Sequence, residues 1–347
     1  MTFSKISVRS SHDHTLGHQC RARIAAQRRR RPLIVLVGLC TLLTCAQATA
    51  SCGSAFCSVN TNWTTESALI GAGSVLDLRF EYLDQDHLRS GTHSAEVGES
   101  EEDHEELETI NRNYLLTFSH SFNSPWGLWL IAPLVNRDHR HIHVGESEHD
   151  LESWSFTDLG DVSLLGRFRL PFSGSVDRPV TSGINFGVKF PTGRTHVSNE
   201  EGETAERSLQ PGSGTTDAVV GVYFQKRYPA RGDIWFSQIL YQHALDSHEG
   251  YKPGPRFALD FGYNHALGQH FGAVIQLNLL IRGRDKGQEA EPDDSGGTYI
   301  FVSPGLNYAF NARWQAYAYV QFPLYQHVNG VQLTADWSVV AGASRRF

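Results

Sequence analysis

The chain has 347 residues, of which 40% are hydrophobic and 19% are charged, and its formal net charge is −7. The acidic surplus argues against a nucleic-acid partner, because such a partner requires a basic surface. No internal stretch is apolar and long enough for a membrane-spanning helix. Composition is compatible with a soluble all-β fold. It is equally compatible with a transmembrane barrel, because the alternating lipid-facing and lumen-facing residues of a barrel average to neutral hydropathy.

The N-terminus has the pattern of an export signal. Four arginines at 28–31 precede an apolar run at 33–43, and Ala48-Thr49-Ala50 forms a cleavage site of small residues. This order predicts a cleaved signal peptide over residues 1–50 and a mature chain that begins near Ser51. A membrane-anchor helix is the alternative, but the apolar run is too short for a stable span.

Two of the five cysteines, Cys52 and Cys57, lie beyond the predicted cleavage site. Two nearby thiols in an oxidising compartment favour a disulfide that closes a small loop. A redox or metal role is the alternative, although the spacing is not Cys-x-x-Cys. We therefore expect residues 51–73 to be a short periplasmic segment with a Cys52–Cys57 disulfide.

From residue 74 to the end, apolar and polar residues alternate with the period of a β-strand. In the first run Leu76, Leu78 and Phe80 alternate with Asp77 and Arg79. About twelve such runs follow one another, each long enough to cross a tilted bilayer. They cover residues 75–86, 110–122, 126–136, 161–170, 182–190, 216–226, 233–243, 256–264, 271–282, 298–308, 314–325 and 332–347.

The connections between these strands alternate in length. The odd-numbered ones are long and cover residues 87–107, 137–157, 191–215, 244–255 and 283–297. The even-numbered ones are short and cover residues 123–125, 171–181, 227–232, 265–270 and 309–313. Long extracellular loops and short periplasmic turns are typical of bacterial outer-membrane barrels. The sequence therefore predicts an all-β transmembrane antiparallel barrel over residues 74–347, with the short eleventh connection at 327–331 as the one departure.

Aromatic residues near the strand ends agree with a membrane location, because Tyr and Trp favour the membrane interface. They are Tyr82, Tyr114, Trp126, Tyr263, Tyr308, Trp314, Tyr325 and Trp337. The last strand ends at Phe347, which resembles the C-terminal aromatic that barrel-assembly machinery recognises. We therefore expect three partners: outer-membrane lipid, lipopolysaccharide and that machinery.

The inward faces of the predicted strands carry charges of both signs. The lumen charges that we single out are Arg79, Glu81, Arg167, Arg169, Asp260 and Arg282, and Asp77, Asp161, Lys189 and Asp336 share this face. Charges inside a barrel must pair or contact water. Two interiors follow: a narrow hydrated channel for a small solute, or a lumen sealed by loops and by residues 51–73.

The third connection is rich in histidine. His139, His141 and His143 alternate, so that an extended strand would put them on one face, and His149 follows. Imidazoles suit zinc, copper or nickel, and Glu146 with Glu148 could complete a shell. A solvated polar loop is the alternative. The first connection is acidic, at 96–106, and would either gather cations or remain a hydrated loop.

Four strings resemble a known family: "DLGDVSLLGRFRL" from Asp158, "GVKFPTG" from Gly187, "LQPGSGTTD" from Leu209 and "YKPGPRF" from Tyr251. They are similar to the outer-membrane barrels named for a MetA pathway of phenol degradation and labelled as transporters. The resemblance extends from residue 76 to 347. It implies a porin-like barrel, and we do not transfer the phenol chemistry to this chain.

Nothing in these strings has the pattern of a catalytic site. His120 lies beside Ser119 and Ser121, but neighbouring side chains of a strand point to opposite faces. We therefore expect no enzyme and no cofactor other than an optional divalent metal. The favoured function is a channel for small solutes, with a metal-related cargo as one option. The alternative is a non-conducting surface barrel whose acidic and histidine-rich loops bind metal ions or partners.

Overall fold

The computed structural model describes residues 59–62, 72–96, 104–144, 149–171, 173–175 and 178–347. All of them belong to one compact unit, Ala46–Phe347. Their strands are β1 (Gly73–Gln85), β2 (His87–Ser90), β3 (His93–Ser94), β4 (His104–Ser121), β5 (Trp126–Val144), β6 (His149–Leu159), β7 (Ser163–Arg169), β8 (Ser173–Ser175), β9 (Arg178–Lys189), β10 (Asp217–Tyr228), β11 (Asp233–Ala244), β12 (Arg256–Ala266), β13 (Phe271–Arg282), β14 (Gly297–Ala309), β15 (Trp314–Val328), β16 (Val331–Thr334) and β17 (Ser338–Arg346).

Twelve antiparallel strands close into a barrel, as the alternation predicts. The order around the wall is β1, β4, β5, β7, β9, β10, β11, β12, β13, β14, β15 and β17. The last strand pairs with the first, with Leu76 opposite Arg345 and Leu83 opposite Ser338. β6 continues the line of β7 outward along β5. Because the first and last strands pair, the wall has no free edge, and every strand finds two neighbours.

The two faces of the wall differ as a membrane requires. Leu78, Leu116 and Ile275 point outward and are exposed, whereas Glu81 and Asn278 point inward and are buried. Outward-facing aromatic rings pair near the strand ends, for example Trp235 with Tyr263 at 4.6 Å between ring centroids. In the residues that the structure describes, no helix is long and apolar enough to cross a membrane. The predicted boundary at residue 50 lies outside these ranges, and the predicted division into a signal peptide, a periplasmic segment and a barrel stays a prediction.

The third connection is shorter than predicted, because most of residues 137–157 are strand. β5 continues to Val144. Its part from Leu134 to Val144 pairs with the whole of β6, with His139 opposite Trp154. Apart from Leu151 and its partner Ile142, the outward side chains of this hairpin are mostly polar, and Arg112 bonds Asp138 at 2.5 Å on that face. A polar outward face does not suit hydrocarbon, so this hairpin rises above the membrane.

The last strand begins at Ser338 and not at 332 as predicted. Val331–Thr334 forms β16, which pairs with β2 in a separate three-stranded sheet. Asp336 therefore lies outside the lumen, where it is exposed and 3.4 Å from the ring of His87. The eleventh connection covers residues 329–337 and contains β16. It is therefore longer than predicted and no longer departs from the pattern of long extracellular connections.

Candidate functional site

A cavity of about 450 Å³ occupies the outer half of the barrel interior. Its wall combines apolar side chains, mainly of β4 and β5, with charged side chains of β1, β5, β9, β10, β12 and β13. Residues 59–62 line it from below, and residues 207–213 line it from the extracellular side. We call this cavity the chamber.

The floor of the chamber is formed by residues 59–62, which lie inside the barrel. The backbone N–H of Asn60 donates to Oε1 of Gln276 at 3.2 Å, and Nε2 of Gln276 donates back to the Asn60 carbonyl at 2.9 Å. Nδ2 of Asn60 also donates to Oε1 of Gln238 at 3.2 Å. Val59 packs against Phe236 and Tyr319 in a small buried cluster below the chamber. This part of the predicted 51–73 segment therefore narrows the lumen.

The roof is a long loop, residues 190–216, that folds over the barrel mouth and contains most of two of the four strings. Its two arms meet at Gly193 and Gly212, where a Cβ added to Gly212 would lie 2.5 Å from the Gly193 carbonyl oxygen. Only glycine permits this approach. Leu209 of the same loop is fully buried against Trp154 and Leu333, which belong to other extracellular segments. The extracellular segments thus form a cap with a core of its own.

Asp161 fastens the roof to the wall. Its carboxylate accepts from the backbone N–H groups of Gly193 at 3.0 Å and Ser213 at 2.9 Å. Nζ of Lys189 donates to the same carboxylate at 2.7 Å and lies 3.3 Å from Asp217. One buried lysine therefore holds two carboxylates at the rim of the chamber, and hydrogen bonds satisfy the charges.

A second ionic group lies at the end of β13, four strands further around the wall from β9. Nη2 of Arg282 donates to Oδ2 of Asp285 at 2.7 Å, and the Tyr251 hydroxyl donates to the same oxygen at 2.8 Å. The N–H of Gly254 donates to Oδ1 at 2.7 Å. Tyr251 lies in the loop above the membrane, where burial first, and then the Asp285 charge, raise the pKa of its hydroxyl above the usual value. Asp285 thus ties the "YKPGPRF" loop to the end of β13.

The predicted lumen charges lie at different depths. Arg79, Glu81, Asp260 and Arg282 line the chamber, and Arg79 forms an ion pair with Glu81. The two remaining residues, Arg167 and Arg169, do not line it. The Arg167 guanidinium lies 3.7 Å from the centroid of the Tyr223 ring, and Arg169 reaches Ser124 at the periplasmic rim.

Of the four predicted metal ligands, the structure brings two together. His139 and His141 are buried on the inner face of the outer hairpin, with Nε2 of one 3.4 Å from Nδ1 of the other. Thr109 bonds His139 at 2.7 Å, and Glu152 bonds His141 at 3.1 Å.

Within the described ranges, no group of three or more His, Cys, Asp or Glu side chains is arranged to hold a metal ion. The side chains of His143 and His149 lie outside the described part, as do Glu146, Glu148, Cys52 and Cys57. The metal site and the disulfide therefore stay predictions.

Several chamber residues were not singled out from the sequence. Arg256 had a signal, because it lies four residues before Asp260 in the same strand and thus shares its inward face. Asp217 also alternates with inward residues of β10. Asn60, Arg207 and Tyr251 had none, because they lie outside regular strands and their positions depend on contacts distant in the sequence.

The closed wall of twelve strands, apolar outside and polar inside, defines a transmembrane barrel of the outer-membrane type. Residues 145–335 match the family described as "Putative MetA-pathway of phenol degradation", which is more than half of the chain. The chain belongs to this family, as the four strings predict.

Solved structures share the fold. A crystal structure of an outer membrane channel from Pseudomonas putida F1 superposes with a TM-score of 0.56 at 12% identity, covering 80% of this chain and 97% of that one. The NanC porin gives 0.41 at 12% identity and covers 78% and 100%. The CymD monoaromatic hydrocarbon channel gives 0.40 at 8% identity and covers 85% and 94%. No curated protein matches this sequence.

Proposed function

We propose that this protein is an outer-membrane channel that admits small solutes through the chamber. The observation that carries the proposal is the cavity of about 450 Å³ inside a membrane-type barrel. This volume is within the range of about 300–1,000 Å³ that is typical of sites for small molecules. A barrel that served only as an anchor would have no need of a chamber lined by both charged and apolar side chains.

Passage requires the floor to move. The hydrogen bonds that Asn60 shares with Gln238 and Gln276 are between neutral groups. Each such bond contributes only about 0.5–1.5 kcal/mol net. Arg79 also donates to the Val59 carbonyl and to the Thr61 hydroxyl, at 3.3 Å each, which is longer than the usual range of about 2.7–3.2 Å. Displacing residues 59–62 is therefore within reach of thermal motion or of a periplasmic partner. The roof is held more firmly, because Lys189 and two carboxylates anchor it, and so we place the gate at the floor.

Conductance in planar bilayers tests this proposal. The mature protein, refolded and inserted, should show discrete openings of small size. An Asn60→Ala variant should open more often, because the side chain that reaches Gln238 is lost. If both the natural protein and this variant stay silent after insertion is verified, the channel proposal is wrong.

A second candidate, the non-conducting surface barrel, is favoured by one observation. Leu88, Trp154, Leu209 and Leu333 come from four extracellular segments and are buried together in one cluster. A packed extracellular cap offers a stable surface for metal ions or partner proteins. The silent outcome of the bilayer experiment would favour this candidate over the channel.

A further inference from the structure

Two arginines face each other across adjacent strands inside the chamber. Arg256 begins β12 and Arg282 ends β13, and the two are direct cross-strand partners. Both side chains line the chamber. Like charges directly opposite each other destabilise a sheet. A pair placed in this way at a cavity wall therefore requires compensation.

Only one of the two arginines has an ionic partner. Arg282 donates to Asp285 at 2.7 Å, and that carboxylate also accepts from Tyr251 and Gly254. Arg256 forms no hydrogen bond or ion pair with any residue in the part of the chain that the structure describes. No atom of Arg256 is among the buried polar atoms without a partner in the described residues, so the five N–H donors of its guanidinium are open to the chamber and available to a solute.

The nearby acids attract Arg256 through space, but among the described residues none forms a hydrogen bond or ion pair with it. The charged groups close enough to act on Arg256 are Arg282, Glu81, Asp260 and Arg79. Glu81 already pairs with Arg79, and Asp260 accepts from Nδ2 of Asn278 at 2.7 Å. Among the residues that line the chamber, six are basic and four are acidic. The basic residues are Arg79, Arg137, Lys189, Arg207, Arg256 and Arg282, and the acidic residues are Glu81, Asp161, Asp217 and Asp260.

The wall opposite the arginine pair is mostly apolar. In the order of twelve strands, β4 lies six places from β12, and β5 lies six places from β13, so each pair faces across the barrel. β4 and β5 contribute Leu115, Ile131, Pro133 and Val135 to the chamber, and β5 also contributes Arg137, whose guanidinium donates to Asn111 and to the Leu209 carbonyl. A solute that spans the chamber would therefore meet guanidinium groups at one end and apolar side chains at the other.

We infer that the chamber binds a small amphipathic carboxylate, whose anionic group contacts Arg256 and whose apolar body packs against Leu115, Ile131 and Val135. A planar carboxylate suits the fork of N–H donors on a guanidinium. This inference rests on the proposed channel, because it names the class of solute that the channel would select.

Equilibrium dialysis of radiolabelled benzoate against the protein in lipid nanodiscs tests the inference, with benzyl alcohol as the uncharged probe of similar size. Arg256→Gln should weaken benzoate binding roughly tenfold or more, because a charge-assisted hydrogen bond is lost. Benzyl alcohol binding should not change. Arg256→Lys should restore part of the benzoate affinity, because it keeps the charge but not the fork.

Arg227→Gln is the matched control. Arg227 lies on the inward face of β10 near its periplasmic end, bonds Gln225 at 3.0 Å and does not line the chamber. It should bind benzoate as the natural protein does. Each variant must first show the heat-modifiable gel migration of a folded barrel.

The inference is wrong if Arg256→Gln binds benzoate as well as the natural protein, or if Arg227→Gln loses as much affinity. It is equally wrong if the natural protein binds benzyl alcohol as tightly as benzoate. The channel proposal has a separate readout, which is solute flux into liposomes. Flux with no effect of Arg256 contradicts only the inference, and benzoate binding without any flux contradicts only the channel.

Discussion

Asn60 and Gln276 exchange two hydrogen bonds across the barrel interior, at 3.2 Å from the Asn60 N–H and 2.9 Å to the Asn60 carbonyl. The amide of Gln276 thus pairs with the backbone of Asn60 as a strand would. Residues 216 positions apart in the chain meet here. Gln276 is thus the wall residue that holds the backbone of Asn60 from both sides, and Gln238 and Arg79 contact the floor beside it.

Gln276→Ala should loosen this floor. Both bonds to the backbone of Asn60 are lost, at a net cost of about 0.5–1.5 kcal/mol each. We expect a higher open probability in planar bilayers, with unchanged folding on a heat-modifiability gel. Asn264→Ala serves as the control, since Asn264 is also buried in the lumen and its side chain accepts from Asn307 at 2.7 Å. An equal increase in both variants would contradict the role of Gln276.

Leu209→Ala should loosen the cap. Leu209 is fully buried among side chains of other extracellular segments, and its carbonyl accepts from Arg137. Removing a buried leucine side chain costs about 2–5 kcal/mol. Trypsin added to intact outer membranes should then cleave faster after Arg207. Leu245→Ala changes a side chain that is 60% exposed and should leave the cleavage rate unchanged.

Lys189→Met should destabilise the barrel. It leaves the carboxylates of Asp161 and Asp217 buried without the ammonium that lies 2.7 and 3.3 Å from them. Breaking a buried ionic group by removing one partner costs about 3–5 kcal/mol. The temperature at which the folded band disappears from an unboiled gel should fall. Lys286→Met, at an exposed loop lysine, removes the same charge and should leave that temperature unchanged.

Tyr251 should resist ionisation. Burial, and then the charge of Asp285, raise the pKa of its hydroxyl in the folded protein. Above the ordinary tyrosine pKa of about 10, the unfolded chain loses this proton while the folded chain keeps it. The stability that Tyr251 contributes is therefore present below pH 10 and is lost as the pH rises beyond it.

Spectrophotometric titration checks this expectation. The difference between the natural protein and a Tyr251→Phe variant isolates the phenolate absorbance of Tyr251. That absorbance should appear only when the protein unfolds in alkali, and not at pH 10. A normal titration of Tyr251 in the folded protein would show that the hydroxyl is not held by Asp285.

Local sequence patterns were enough to predict which side chains of the barrel wall point outward and which point inward. Because side chains alternate strictly along a strand, the sequence alone placed Leu76, Leu78 and Phe80 outside and Glu81 inside. The same period failed at residues 331–334, where the alternation continues but the strand pairs with β2 and not with the barrel. It also failed at 137–157, because polarity that suggests a loop is equally compatible with strands above the membrane.

The chamber was decided by the tertiary structure. Register sets which residues face each other, so the opposition of Arg256 and Arg282 appears only when β12 pairs with β13. The position of Asn60 depends on contacts with β11 and β13, far along the chain. The sequence by itself thus determined a barrel with polar contents, because the membrane imposes a local two-residue period. Only long-range pairing and packing decided where the floor, the cap and the unpartnered guanidinium lie.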